Sequence, residues 1–426
     1  MHLILSLLAM FAGLSMNAAY AADKWPLPHQ LPSQPEMPDV LTMFNGSRVE
    51  SPQQWNDLRR PELKRLFQHY MYGRLPAAPK AVAVRVLFED AAAFDGAASL
   101  RELELTVGPS TTPKIYLLLV TPHATQPAPC FLGINFAGNH TLIDDPRVRL
   151  PETWLPEGYP GVVESRATDA GRSGRDHRWP LAEIVRRGYA LASFHCGDIQ
   201  PDRPMALEGM RATLPNSRGP GNPKDTGTLM WWAWGLHRAV DYLQDDPAID
   251  NRRIAVVGHS RMGKTALLAG AFDERIALVV ANQAGCGGSA PSRTDQPRAE
   301  RIDLLNGVRP HWFCDNFKAF GGDPTRLPFD QHALVALCAP RPVLFTSAEE
   351  DLGANPPGQF NVLRAATPAY ELLGVEGLEA ADMPAPDAPL IASRLGYWQR
   401  SGKHDMTHAD WKIYLDFADR WLSDPK

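Results

Sequence analysis

Two kinds of hydrophobic pattern alternate along the chain. Short runs rich in β-branched and aromatic residues read as strands, and stretches with apolar positions at helical spacing read as helices. The first helix starts at Ser51-Pro52, with serine as its cap and proline in its first position. It runs through Trp55, Leu58, Leu63, Leu66 and Phe67 to about Tyr72. Residues 82–88, 100–107 and 114–121 read as strands of an antiparallel meander. The run 130–136 is apolar enough to be a central strand. From there the elements alternate. Strands are expected at 189–195, 254–257, 276–281, 342–347 and 397–400. Helices are expected at 178–187, 229–243, 331–338, 358–373 and 408–422. Strands that alternate with helices imply a mostly parallel sheet covered on both faces, a three-layer αβα sandwich. The stretches 138–177, 199–227 and 284–327 are expected to be long inserted loops.

Composition narrows the class. The chain has 426 residues, 44% hydrophobic and 21% charged, which suits a globular protein with a sizeable core. A formal net charge of −5 gives no electrostatic footprint for nucleic acid. The N-terminus stands apart. Residues 3–14 are apolar, and Ala19-Tyr20-Ala21 fits the small-residue cleavage rule, so 1–21 reads as a signal peptide. The apolar run is too short to span a bilayer comfortably. The expectation is an exported protein, free of the membrane after cleavage, with 22–426 as one catalytic domain carrying an N-terminal extension. The five cysteines are odd in number and show neither a disulfide framework nor a metal pattern. Cys130, Cys196 and Cys338 lie in or beside apolar runs and read as buried thiols. No metal or cofactor is expected.

The stretch 253–268 carries the chemistry. A buried strand, Ile254 to Val257, leads into Gly258-His259-Ser260-Arg261-Met262-Gly263, and helix formers follow. A strand, a sharp turn on serine and a helix make the nucleophile elbow of an α/β-hydrolase. The usual pattern is G-x-S-x-G; the second glycine falls one place late, at Gly263, with Met262 in its slot. A serine capping a helix would look similar, so the rest of the chain has to decide.

A serine nucleophile needs a base, and the base needs an orienting acid, in the chain order Ser, Asp/Glu, His. The late strand 342–347 ends in Ala348-Glu349-Glu350-Asp351. A carboxylate just past such a strand suits the acid. Further on, Ser401-Gly402-Lys403-His404-Asp405-Met406-Thr407-His408 leads into the last helix. His404 is preferred as the base, because the G-x-H loop can project its imidazole inward. His408 competes from the first helical turn. Trp231, Trp232 and Trp234 read as packing residues, Trp312 as packing or cleft lining, and His140 as a candidate pocket residue.

These segments together resemble the glucuronoyl esterases, carbohydrate esterase family 15, of bacterial type. The resemblance rests on G-H-S-R-M-G-K-T-A-L at 258–267 and W-A-W-G-L-H-R-A-V-D-Y-L at 232–243. N-F-A-G-N-H at 135–140, G-D-I-Q-P-D at 197–202, E-R-I-D-L-L-N at 300–306 and P-H-W-F at 310–313 add to it. S-A-E-E-D at 347–351, A-N-P at 354–356 and G-K-H-D-M-T-H-A-D-W at 402–411 complete it. The resemblance implies Ser260 as nucleophile, His404 as base and Arg261 as oxyanion-hole residue. It implies Lys264 and Glu300 as contacts of the uronate ring. Many members carry the acid after the strand that follows the elbow helix, where this chain has Gln283. The alternative position is assigned to Asp351, with Glu350 as fallback. A tryptophan that often lines the family's sugar pocket is replaced by Gly353. The disulfide of fungal members is absent, because Asp405 and His259 hold its positions.

The implied activity is an exported serine esterase acting, as a monomer, on esters of glucuronic acid carboxyls in plant cell-wall polysaccharide. The competing readings are an acetylxylan esterase or other serine hydrolase on the same fold, and a catalytically inactive carbohydrate-binding protein.

Overall fold

A nine-stranded sheet is the frame of the computed structural model. The structure describes residues 25–79, 81–109, 111–204, 208–213 and 226–423. The expected signal peptide lies outside them. We number the sheet strands β1 (Ala83–Ala92), β2 (Ala98–Thr106), β3 (Ile115–Pro122), β4 (Ala128–Asn135) and β5 (Ala190–His195). After them come β6 (Ile249–His259), β7 (Leu278–Asn282), β8 (Val343–Ala348) and β9 (Leu395–Arg400). Their order across the sheet is β1-β2-β3-β5-β4-β6-β7-β8-β9. β1, β2, β3 and β5 pair antiparallel in turn. From β5 to β9 every pairing is parallel.

The helices that cover the sheet and shape its edge are α1 (52–72), α2 (Leu181–Arg186), α3 (Thr228–Leu243), α4 (Arg261–Phe272), α5 (Gln331–Ala336), α6 (Pro356–Leu372) and α7 (His408–Trp421). Side chains on a strand alternate between faces, and both faces of the central parallel strands are dry, whereas the edge strand β1 is largely exposed. Leu132, Ile134 and Val256 join one core, with Trp231, Trp232 and Leu236 of α3, Leu267 and Leu268 of α4, and Phe67 of α1. Phe131, Ala255 and Val257 join the other, with Ile184 of α2 and Trp411, Tyr414 and Phe417 of α7. The result is the expected αβα sandwich. Trp231, Trp232 and Trp234 are at most 1% exposed, so they pack the core. Truncating any one of them to alanine would cost about 3–5 kcal/mol.

Some boundaries differ from the sequence reading. β6 starts five residues early, at Ile249, because Ala128 of β4 pairs with it across a polar stretch that hydrophobicity alone passes over. The helix expected at 178–187 starts at Leu181, since Trp179 precedes Pro180 and a residue before proline avoids helical geometry. All five cysteines are buried and unpaired.

Candidate active site

The parallel strands deliver their carboxyl ends to one edge of the sheet, where open α/β folds place their sites. Ser260 sits between β6 and α4 with φ 56° and ψ −127°, a backbone that L-residues rarely adopt. The surrounding contacts enforce it. A Cβ on Gly258 would lie 2.0 Å from the Met262 carbonyl oxygen. A Cβ on Gly263 would lie 2.9 Å from the Asn282 oxygen and 3.0 Å from that of Gly258. The late glycine is thus required by the approach of α4 to β7, whereas Met262 is buried in the core. Ser260 N–H donates to the Asn282 carbonyl at 2.8 Å, pinning the turn.

The loop after β9 brings His404 to this edge, and the loop after β8 brings Asp351. His404 Nδ1 lies 2.6 Å from Asp351 Oδ2. An ionised carboxylate only accepts, so Nδ1 is assigned the proton and Nε2 is left as the basic nitrogen. Backbone contacts fix the loop. Arg400 donates to the carbonyls of Ser401 (2.9 Å), Lys403 (2.6 Å) and Asp405 (3.0 Å), and pairs with Asp410 at 3.0 Å. Glu350 N–H donates to the Gly402 carbonyl at 2.9 Å, and the Glu350 residue itself is exposed. Gln283 has a left-handed φ of 48° and grips the peptide next to the histidine at both ends. Its Nε2 donates to the Asp405 carbonyl at 2.9 Å, and its Oε1 accepts from Asp405 N–H at 3.0 Å. His408 opens α7 with its side chain 64% exposed and nearest to Glu183, at 3.9 Å.

Ser260, Arg261 and His404 line one cavity of about 210 Å³ with Phe136, Tyr159, Arg175, Arg178 and His259. The His259 ring packs against that of His404, tilted by 40° with centroids 4.5 Å apart. Burial, helped by the neighbouring His404, pushes its pKa well below the ordinary value, so it is a neutral platform. Its Nδ1 is 2.5 Å from Asn282 Oδ1.

Arg261 is held by its own side chain. Nη2 donates to the Tyr159 hydroxyl at 2.6 Å, Nε lies 2.8 Å from Asp202 Oδ2, and the guanidinium covers the Phe136 ring at 4.4 Å. Asp202 also accepts from His311 Nε2 at 2.9 Å and Trp312 Nε1 at 2.7 Å. Burial alone would raise the Asp202 carboxyl, but the His311 bond and the Arg261 charge outweigh it and bring it down to about 2. The pair is therefore charged across the working range.

Lys264 and Glu300 meet each other, with Nζ 2.8 Å from Oε2. Lys264 also donates to the Ala284 carbonyl at 2.5 Å and that of Cys286 at 2.6 Å, so all three of its hydrogens are engaged within the protein. Neither residue lines the cavity around Ser260. His140 does not line it either. It is buried, and burial followed by the Arg172 charge lowers it to about 4. Gly353 lies in the short turn after Asp351, and its carbonyl accepts from Glu300 N–H at 2.9 Å.

Sequence reasoning missed Tyr159, Arg175, Arg178 and the supporting role of Asp202. In sequence alone Gln283 reads only as a lost acid. G-D-I-Q-P-D ends in Asp202, and P-H-W-F contains both His311 and Trp312, so these two motifs are the two halves of one network.

The mostly parallel sheet, with a strained serine elbow and a histidine–aspartate pair at its carboxyl edge, defines the class, an α/β-hydrolase fold. Comparison with known proteins narrows it. A family model described as "Glucuronyl esterase, fungi" matches residues 221–374. A carbohydrate esterase from an unknown prokaryotic organism is 40% identical over 91% of this chain and 90% of its own length. The solved glucuronoyl esterase from Solibacter usitatus is 35% identical, with a TM-score of 0.85, covering 93% of this chain and 100% of that one. A 4-O-methyl-glucuronoyl methylesterase from Phanerochaete carnosa is 27% identical over 80% of this chain and 73% of that protein. The chain belongs to the glucuronoyl esterases, carbohydrate esterase family 15, and is a carboxylic ester hydrolase.

Proposed function

We propose that the protein, exported and trimmed of residues 1–21, hydrolyses esters of the (4-O-methyl-)glucuronic acid carboxyl through an acyl-enzyme on Ser260. The natural targets in this reading are the ester links between glucuronoxylan and lignin alcohols. His404 Nε2 takes the Ser260 proton as the hydroxyl attacks the ester carbonyl, and Asp351 stabilises the imidazolium. Arg261 stabilises the oxyanion, with a guanidinium that needs no reorganisation. His404 then hands the proton to the leaving alcohol and activates water for deacylation. Residues 22–426 act as one monomeric catalytic domain in this account. Among the described residues no helix is long and apolar enough to cross a membrane.

The observation that carries the reading is the 2.6 Å bond from His404 to Asp351 at a cavity that also exposes Ser260. One observation favours a second reading, an acetylxylan esterase or other ester hydrolase. Lys264 is fully engaged within the protein, and Gly353 leaves the turn after the acid without a ring. Initial rates on benzyl glucuronate, methyl glucuronate and p-nitrophenyl acetate decide between them. A preference for the glucuronates, abolished in Ser260→Ala, supports the first. A preference for the acetate supports the second, and no turnover of any ester would leave a carbohydrate-binding protein.

A further inference from the structure

The cavity wall next to Ser260 is built for more than an ester carbonyl. It presents three guanidiniums, Arg175, Arg178 and Arg261, and no carboxylate. Two of the three are balanced by carboxylates that do not line the cavity. Arg261 has Asp202 at 2.8 Å, and Arg178 Nη2 has Asp405 Oδ1 at 2.7 Å. Among the described residues no carboxylate lies within ion-pair distance of Arg175. Its guanidinium lies 5.9 Å from the Tyr159 ring centroid, and the same tyrosine holds Arg261. The two imidazoles on the wall add no counter-charge.

One uncompensated cation therefore faces the cavity of a chain whose net charge is −5. Like charges sharing one wall normally cost stability. Arg178 registers that cost: burial first, then partly the Arg175 charge, lowers its pKa despite Asp405. A neutral ester offers nothing to offset it. A carboxylate does, and a guanidinium fork matches one bidentately.

We propose that Arg175 and Arg178 form a carboxylate-binding subsite beside the nucleophile, separate from the oxyanion position of Arg261. It rests on the reading of the protein as a glucuronate ester hydrolase. That chemistry has two sources of carboxylate: an acid group on the alcohol half of the ester, and the free glucuronate released by deacylation.

Two measurements on the full chain and on Arg175→Gln separate them. The first compares kcat/KM for 4-carboxybenzyl glucuronate and benzyl glucuronate. The second is inhibition of benzyl glucuronate hydrolysis by free glucuronate. An alcohol-side acid predicts a preference of about tenfold for the carboxybenzyl ester, falling at least fivefold in Arg175→Gln, since a charged hydrogen bond is worth roughly that factor. A product site predicts no such preference but competitive inhibition, with Ki rising by about the same factor in the variant. Either effect in the parent protein should also shrink as salt is raised, a readout that needs no variant to fold. If the parent shows neither preference nor inhibition, or Arg175→Gln leaves both unchanged, the subsite does not exist. If no glucuronate ester is turned over at all, the functional reading has failed. Inhibition of p-nitrophenyl acetate hydrolysis by glucuronate, and its loss in Arg175→Gln, then still tests the subsite.

Discussion

Arg261 and His404 line the same cavity, yet the fold secures them differently. Arg261 is fixed through its side chain, with a hydroxyl, a carboxylate and an aromatic face on the guanidinium. The His404 side chain is 43% exposed and bonded to a single carboxylate. Its security lies in the backbone around it, bound at Ser401, Gly402, Lys403 and Asp405. The contrast suits the role proposed for each group. A fixed charge stabilises an oxyanion best when nothing must rearrange. A base must cycle between neutral and protonated forms, and full burial would trap it as neutral. The buried histidines show that outcome. Burial lowers His237 to about 4 and His195 to about 3, and it pushes His259, packed against His404 itself, well down too.

The largest losses are expected at the proposed nucleophile and base. Ser260→Ala and His404→Ala should each lower kcat on benzyl glucuronate by on the order of 10⁴-fold or more, with unchanged melting temperature. His408→Ala should stay within a few-fold. An inactive His408 variant beside an active His404 variant would move the base to the helix.

Next in size is the proposed acid. Asp351→Asn should cost roughly 10²- to 10⁴-fold in kcat, the upper end being the loss seen when a triad carboxylate is removed. Glu350→Gln should be nearly silent, because only its backbone touches the loop. Rates compared at matched thermal stability check both.

The Arg261 arm should respond in stability as well as rate. Asp202→Asn leaves a buried guanidinium without its counter-charge, and unfolding in denaturant should show a loss of about 3 kcal/mol. The pH signature differs from that of the histidine. Asp202 is depressed to about 2 in the fold, below its unfolded value of about 3.9. Its stabilisation is thus present above the unfolded value and is lost only as pH falls toward 2. Between roughly pH 5 and 9 the arm should add no pH dependence to kcat/KM.

The smallest effect tests the loop clamp. Gln283→Glu is isosteric, but a carboxylate cannot donate to the Asp405 carbonyl and would face it with a negative charge. We expect kcat to fall about tenfold with little change in KM, and the pH–rate profile to shift with the displaced imidazole. If Gln283→Glu instead restored turnover to Asp351→Asn, the side chain would reach the imidazole directly and the clamp would not be its role.

The layers of the fold were legible because the central strands are dry on both faces, which leaves long apolar runs. The elbow, Asp351 and the G-x-H loop were legible because each follows a strand end, a position readable in one dimension. The Arg261 network was not. Its partners Tyr159, Asp202 and His311 lie on insertions remote in sequence, and only the packing of those loops brings them together. The role of Gln283 is hidden for a related reason. Its value lies in two bonds to a backbone 122 positions away, and no residue type announces that.

The five cysteines have a practical consequence. None is bridged, all are buried, and burial raises every one of their thiols, to about 12 at Cys286 and about 11 at Cys314. Reactivity belongs to the thiolate, so oxidants and alkylating reagents should find little to attack while the chain is folded. Nothing in the scaffold needs an oxidising compartment to form. The enzyme should mature in a reducing cytosol as readily as outside the cell, and dithiothreitol should leave both its melting point and its turnover where they were.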